Sequence, residues 1–136
     1  MDAPTTRFTV VIADDVAGLR RLLRIALEDS RRFEVVGEAE DGVEAIAAAE
    51  QLNPHLLLLD LSMPRMDGLE ALPRILLAAP ATKVVVLSGL SEERMAPRAR
   101  ELGAAEFIEK GVPPEMLVEI LLDVVQRNGS AQAGAH

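Results

Sequence analysis

Five polar residues lie at the ends of apolar segments of the chain, and their types suit phosphoryl chemistry. They are Asp14, Asp15, Asp60, Ser88 and Lys110, which follow the segments 9–13, 56–59, 84–87 and 107–108. If these segments are parallel strands of one sheet, their carboxyl ends share the edge at which α/β folds bind ligands. Three carboxylates, a hydroxyl and an ammonium group would then meet in one pocket. Such a set suits a divalent cation and a phosphoryl group, with an aspartate as the acceptor.

Each of these residues also has an ordinary structural interpretation. Either aspartate of the first pair would serve as an N-cap of the following helix. Ser88 alone would fit a turn, and Lys110 alone would fit a solvated surface. The adjacent pair Asp14 and Asp15 is harder to explain in this way, because one carboxylate is enough for a cap and neighbouring carboxylates repel each other. A cation offsets that repulsion, and oxygen ligands without His or Cys favour Mg²⁺ over zinc.

Strand-like and helix-like segments alternate along the chain. The predicted strands are 8–13, 33–38, 55–59, 82–87 and 106–109. Helices are predicted over 16–28, from 42 to the Asn53-Pro54 stop, over 69–78, within 92–102 and from the Pro113-Pro114 pair onward. Five β–α units predict an α/β fold with a five-stranded parallel sheet and helices on both faces.

The helix patterns also predict which side chains face the core. The inward positions are Val16, Leu19, Leu22, Leu23, Ala26 and Leu27 in the first helix, Val43, Ile46 and Ala47 in the second, and Met116, Leu117, Ile120, Leu121, Val124 and Val125 in the last. The arginines of the first helix, Arg20 included, are predicted on its outer face. Asp67 is expected to cap the third helix. Pro73 is expected to kink that helix, and Pro97 to delay the start of the fourth to about Ala96.

Composition limits the classes of function. The chain of 136 residues is 49% hydrophobic but has no Trp, Tyr or Cys, so we expect an aliphatic core and neither disulfides nor thiol catalysis. A net charge of -8 disfavours direct binding to nucleic acid. No apolar segment reaches the ~20 residues that a membrane-spanning helix needs. We expect a cytoplasmic protein without membrane contact, with an N-terminal extension (1–7), one domain (8–127) and a disordered tail (128–136).

Four motifs in this order are typical of one family. They are Asp14-Asp15, the run Asp60…Met63-Pro64…Asp67-Gly68, Ser88-Gly89, and the segment 103–110 that ends in Lys110. Together they resemble the receiver domain of two-component response regulators, over about 8–127. The resemblance implies a flavodoxin-like fold with strand order 2-1-3-4-5. It also implies a phosphorylation-dependent signalling switch, which accepts and slowly loses a phosphoryl group and is not a turnover enzyme.

The resemblance assigns roles around the acceptor. Asp60 would accept the phosphoryl group. Asp15, Asp60 and the backbone carbonyl of Ser62 would ligate Mg²⁺ directly, and Asp14 would do so through water. A phosphatase of the haloacid dehalogenase type would instead need a second aspartate at position 62, where this chain has serine.

The resemblance also assigns residues that sense the phosphoryl group. Ser88 would hydrogen-bond a phosphoryl oxygen, and Lys110 would pair with that group and with Asp60. Phe107 occupies the aromatic switch position and would turn inward as Ser88 moves, so that the surface of helix 4, strand 5 and helix 5 changes. Many family members carry proline directly after the lysine. Here Gly111 stands at that position, so we expect a different loop.

The implied partners are a sensor histidine kinase or phosphotransfer protein as the donor, and an output protein or an output domain that this sequence lacks. A homodimer also fits the family. The start at Met1 and the polar tail favour a single-domain regulator over the receiver half of a longer protein. The alternative is a phosphorylation-independent receiver-fold interaction module, although the complete acidic set and Lys110 argue against it.

Overall fold

The protein folds as a five-stranded parallel sheet between two layers of helices, in a computed structural model that describes residues 6–127. The strands are β1 (Phe8–Ala13), β2 (Phe33–Ala39), β3 (Leu56–Asp60), β4 (Lys83–Ser88) and β5 (Glu106–Glu109). The helices are α1 (Ala17–Asp29), α2 (Gly42–Leu52), α3 (Gly68–Ala78), α4 (Ala96–Glu101) and α5 (Pro114–Gln126), with a 3-10 helix, Leu90–Met95, before α4. The strand order β2-β1-β3-β4-β5 and the parallel pairing confirm the predicted fold.

The central strand β3 is buried on both faces of the sheet, which explains its run of leucines. Successive side chains of a strand point to opposite faces. Leu57 and Leu59 pack in the core layer of α2, α3 and α4, whereas Leu56 and Leu58 pack in the layer of α1 and α5. All four leucines are fully buried. A parallel strand covered on both faces requires such a continuous apolar segment.

Two aspartates fix the starts of helices on the α2–α3 side of the sheet. The side chain of Asp41 accepts a hydrogen bond from the backbone N–H of Glu44, and that of Asp67 accepts one from Glu70. Asp67 is therefore the cap that the sequence predicted. The N-cap of α1 is Val16, so neither residue of the preceding acidic pair caps that helix.

The predicted inner face of α1 is partly wrong. Val16 and Leu22 are 54% and 65% exposed, whereas Arg20 is only 9% exposed. The helix packs on the sheet through Leu23 and Leu27, and Arg20 lies on the same face because it precedes Leu23 by three positions. A charged side chain tolerates this position because it is paired with Glu38 at the end of β2.

The predicted inner face of α2 is also wrong in part. Val43 is 53% exposed and Ala47 is exposed, whereas Ala45 and Ala49 are fully buried. Ile46 is half-buried. Small residues face the sheet because α2 lies close to its neighbours, and the larger apolar side chains are displaced outward. In α5, Leu117, Leu121 and Val124 are buried as expected, but Met116 is 51% exposed.

The prolines have different effects on the two helices that contain them. α4 begins at Ala96, as predicted, with Pro97 in its first turn. α3 continues through Pro73, and the kink expected there stays a prediction. β1 begins at Phe8; residues 1–5 of the predicted extension and the predicted tail, 128–136, lie outside the described residues. Within residues 6–127, no helix has the length and apolar character needed to cross a bilayer.

Candidate functional site

The sheet brings the five polar residues to its carboxyl edge. Asp14 and Asp15 follow β1, Asp60 ends β3, Ser88 ends β4 and Lys110 follows β5. Because β1, β3, β4 and β5 are successive neighbours in the sheet, their ends are adjacent. One carboxylate oxygen from each aspartate can be chosen so that the three lie within 4.8 Å of one another. The predicted acidic cluster is therefore present, with two of its members buried and Asp15 exposed.

Lys110 balances part of this negative charge. Its Nζ lies 3.0 Å from Oδ1 of Asp60 and 3.3 Å from Oδ2 of Asp14. Burial raises the pKa of the Asp60 carboxyl above its ordinary value, and repulsion by Asp14 adds to this, while the bond from Lys110 opposes both. Burial also disfavours the charged form of Lys110, but the two carboxylates outweigh it and raise the pKa of the lysine. One ammonium group thus pairs with two of the three carboxylates in the cluster.

The chemistry of the donor set fits a divalent cation. Oδ2 of Asp14 is buried and has no hydrogen-bond donor, apart from the ion pair with Lys110. The oxygens are carboxylates only, which suits Mg²⁺. The backbone N–H of Ser62 donates to Oδ1 of Asp60 at 3.3 Å, which holds the loop after β3 against the carboxylate. The role of the Ser62 carbonyl as a metal ligand stays a prediction.

Ser88 contributes a hydroxyl without a partner. Its side chain is fully buried, and Oγ has no hydrogen bond within the described part of the chain. Its backbone carbonyl accepts from the N–H of Lys110 at 2.7 Å, so the two residues are tied together through the backbone. A buried hydroxyl with no partner is unfavourable and calls for an explanation. A phosphoryl oxygen that entered the site would supply the missing partner.

Phe107 lies on β5 opposite Val86 of β4. Its side chain is half-buried and packs against the core layer of α2, α3 and α4. The ring is therefore neither fully in the core nor fully in solvent. This position is compatible with a side chain that moves between two packing arrangements, but its role as a switch stays a prediction.

The residue after Lys110 shows why this chain departs from the common family pattern. Gly111 has a φ angle of +100°, and a Cβ there would meet no heavy atom within 4 Å. Proline, with φ fixed near -65°, cannot adopt this conformation. The different loop that the sequence led us to expect is therefore a turn through a left-handed glycine.

Sequence reasoning missed two residues that hold the loops of the site. Nη1 of Arg20 donates to the backbone carbonyl of Asp14. Nε of Arg65, in the loop after Asp60, donates to the side chain of Asp41. The sequence did contain a clue to Arg20, because it shares the i, i+3, i+7 spacing of the buried face of α1. No local pattern links positions 65 and 41, which come together only in the folded sheet.

Comparisons with known proteins agree with this geometry. The family model described as the response regulator receiver domain matches residues 10–122. The chain is 38% identical over 112 residues to chemotaxis protein CheY of Listeria monocytogenes, an alignment that covers 82% of this chain and 93% of that protein. It is 39% identical over 110 residues to the transcriptional regulatory protein YhcZ of Bacillus subtilis, of which the alignment covers 51%.

Solved structures give the same result. The receiver domain of the response regulator NarL from Mycobacterium tuberculosis superposes with a TM-score of 0.84 at 31% identity, covering 90% of this chain and 99% of that one. CheY of Borrelia burgdorferi, solved with CheX, BeF3 and Mg²⁺, gives a TM-score of 0.80 at 27% identity, covering 88% and 90%. The chain belongs to the family of response regulator receiver domains.

Proposed function

We propose that the protein is a phosphorylation-dependent signalling switch in which Asp60 accepts a phosphoryl group with Mg²⁺ bound beside it. The observation that carries this proposal is the position of Asp60. Its carboxylate is buried, lies within an acidic cluster and is 3.0 Å from Nζ of Lys110. A carboxylate that is merely structural would not need two further carboxylates and an unpartnered hydroxyl around it.

The proposed reaction is the transfer of a phosphoryl group to a carboxylate oxygen. Lys110 and the Ser62 N–H both contact Oδ1 of Asp60, and no hydrogen bond reaches Oδ2 from the side chains that the structure describes. Oδ2 is therefore the oxygen free to attack phosphorus. A bond forms between this oxygen and phosphorus, and the bond from phosphorus to the donor nitrogen of a phosphohistidine breaks. The electron pair of that bond stays on the imidazole.

The residues around Asp60 stabilise the incoming charge. Lys110 offers an ammonium group to the equatorial phosphoryl oxygens, and the hydroxyl of Ser88 offers a hydrogen bond. Asp14, Asp15 and Asp60 would hold Mg²⁺, which neutralises negative charge on the transferred group. In this proposal, the backbone carbonyl of Ser62 would supply a further ligand to the cation.

The proposed output is a change in the surface formed by α4, β5 and α5. Movement of Ser88 toward the phosphoryl group would displace the end of β4. The end of β5 would be affected too, because the backbone carbonyl of Ser88 accepts a hydrogen bond from the N–H of Lys110, which follows β5. Phe107, half-buried on β5, would repack in response. The partners are a sensor histidine kinase or phosphotransfer protein and an output protein or domain. The Borrelia CheY solved in a complex with CheX, BeF3 and Mg²⁺ supports binding of a protein partner and of this cation.

Intact-mass spectrometry tests the proposal. The protein is incubated with acetyl phosphate and Mg²⁺, beside Asp60→Asn and beside a sample with chelator. We expect one phosphoryl adduct on the wild type, absent from both controls and lost at alkaline pH. A folded wild-type protein that binds Mg²⁺ but gains no adduct, from acetyl phosphate or from a histidine kinase, would support the phosphorylation-independent module instead.

A further inference from the structure

We infer that Arg20 is a positioning residue for the cation site: its guanidinium fixes the peptide between Asp14 and Asp15 and so sets the direction of both carboxylates. This inference rests on the proposed function, because it concerns how the site is prepared for Mg²⁺. Arg20 itself does not touch the reacting atoms. Its effect passes through the backbone.

Arg20 lies in an unusual environment for a charged side chain, because it is buried. The residue is 9% exposed on the sheet-facing side of α1. A buried charge is strongly unfavourable unless it is paired and hydrogen-bonded. Nε donates to Oε1 of Glu38 at 2.7 Å, and Nη2 lies 4.0 Å from a carboxylate oxygen of Glu40. These contacts explain why the guanidinium is tolerated, and they hold it in one orientation.

The remaining hydrogen bond of Arg20 connects it to the acidic cluster. Nη1 of Arg20 donates to the backbone carbonyl oxygen of Asp14. That oxygen belongs to the peptide unit that continues into Asp15. A peptide unit is planar, so fixing its carbonyl also fixes the direction in which Asp15 leaves the strand.

The other polar groups of Asp14 also form hydrogen bonds. Its N–H donates to the carbonyl of Ala39 at 2.9 Å, and its Oδ1 accepts from the N–H of Val16 at 2.8 Å. Because Arg20 donates to the carbonyl of Asp14, Oδ2 is the polar atom of Asp14 that remains available to a cation, and it lies next to Lys110. Preorganised ligands bind a cation better because less ordering is needed on binding.

Arg24 provides a matched control within the same helix. It also forms an ion pair with Glu38, through Nη2 to Oε2 at 2.7 Å. Its other ion pair is with Glu28, and no hydrogen bond joins it to Asp14 within the described residues. Removal of either arginine therefore takes one partner from Glu38, but only removal of Arg20 frees the Asp14 carbonyl.

The test compares Mg²⁺ affinity with stability in Arg20→Met and Arg24→Met. Titration calorimetry with Mg²⁺ gives the dissociation constant, and urea unfolding followed by circular dichroism gives stability. We expect Arg20→Met to weaken Mg²⁺ binding about tenfold and Arg24→Met less than twofold. Equal affinities in the two variants would overturn the inference and leave Arg20 a structural residue only.

A second variant covers the case in which Arg20→Met does not fold. In Arg20→Lys the ammonium group keeps the charge next to Glu38 but lacks the planar fork that reaches two acceptors in fixed directions. We expect this variant to fold and still to bind Mg²⁺ several-fold more weakly than the wild type. Wild-type affinity in Arg20→Lys would contradict the inference. A wild-type protein that binds no Mg²⁺ would instead contradict the proposed function, and the inference with it.

Discussion

Gly68 packs directly against the backbone of Asp60. A Cβ on Gly68 would collide with the carbonyl oxygen of Asp60 and lie 2.9 Å from Cα of Leu61. The N–H of Gly68 also donates to the carbonyl of Leu61 at 2.9 Å. The first residue of α3 therefore closes the loop that begins at Asp60, and only glycine fits there without a backbone shift. This contact ties the position of Asp60 to the start of α3.

Gly68→Ala is expected to destabilise the protein by about 2 kcal/mol, because the added methyl group meets backbone atoms that cannot turn away. Gly18→Ala is the control, since Gly18 is exposed in α1 and a Cβ there meets nothing within 4 Å. That change should stabilise α1 by about 0.5 kcal/mol. Urea unfolding followed by circular dichroism measures both. Equal effects of the two substitutions would show that the close contact is absent.

Asp60→Asn is expected to stabilise the metal-free protein by on the order of 1 kcal/mol at neutral pH, because it removes a buried carboxylate repelled by its neighbour. The folded pKa of Asp60 lies above the ordinary value of 3.8. The native state then binds more protons than the unfolded chain just above that pH, so wild-type stability falls as the pH rises through this window. The gap between variant and wild type should therefore widen from about pH 3.8 upward. A gap that stayed constant across the acid range would contradict this explanation.

Mg²⁺ is expected to raise the unfolding temperature of the wild type, because a ligand that binds only the native state stabilises it, by about 2.7 kcal/mol at a hundred times its dissociation constant. Asp15→Asn should lose most of this effect with little change in metal-free stability, since Asp15 is exposed. Glu50→Gln removes one negative charge from an exposed position on α2 and should respond like the wild type. If both variants responded equally to Mg²⁺, the acidic cluster would not be the binding site.

Glu38 is expected to contribute to acid sensitivity. Hydrogen bonds from Arg24 and Arg20 hold the pKa of its carboxyl below the ordinary value of 4.5. A lowered native pKa gives stability that is fully present above about pH 4.5 and is lost as the pH falls through the native value. Glu38→Gln should therefore be less stable than the wild type at pH 7, and the difference should shrink below pH 4.5. Unfolding curves from pH 3 to pH 7 check this, and a difference independent of pH would argue against the ion pairs.

The strands and the members of the site were predictable because they depend on patterns within single segments, whereas the strand order came from the resemblance to the receiver family. The four strands that carry the site each contain a short apolar run, and the polar site residues lie at the end of that strand or just after it. Parallel β–α units leave few topologies open, so the strand ends had to meet at one edge. Asp60, Ser88 and Lys110 are for that reason where the sequence placed them.

The faces of α1 and α2 were harder to predict because they depend on partners far away in sequence. Arg20 is buried only because Glu38 and the Asp14 carbonyl satisfy it, and neither contact is visible in the pattern of α1. Leu22 is exposed because α1 packs on the sheet through the adjacent Leu23, which points to a different face of the helix. Hydrophobicity alone assigns a leucine inward and an arginine outward, and here the packing reverses both.

The most direct test of Asp60 as the phosphoryl acceptor is to locate the phosphoryl group in the chain. The protein is treated with acetyl phosphate and Mg²⁺, the acyl phosphate is reduced with borohydride, and the peptides are sequenced by mass spectrometry. We expect homoserine in place of aspartate at position 60 and nowhere else, with none formed when a chelator is present. Homoserine at position 14 or 15, or equal labelling with and without Mg²⁺, would contradict it.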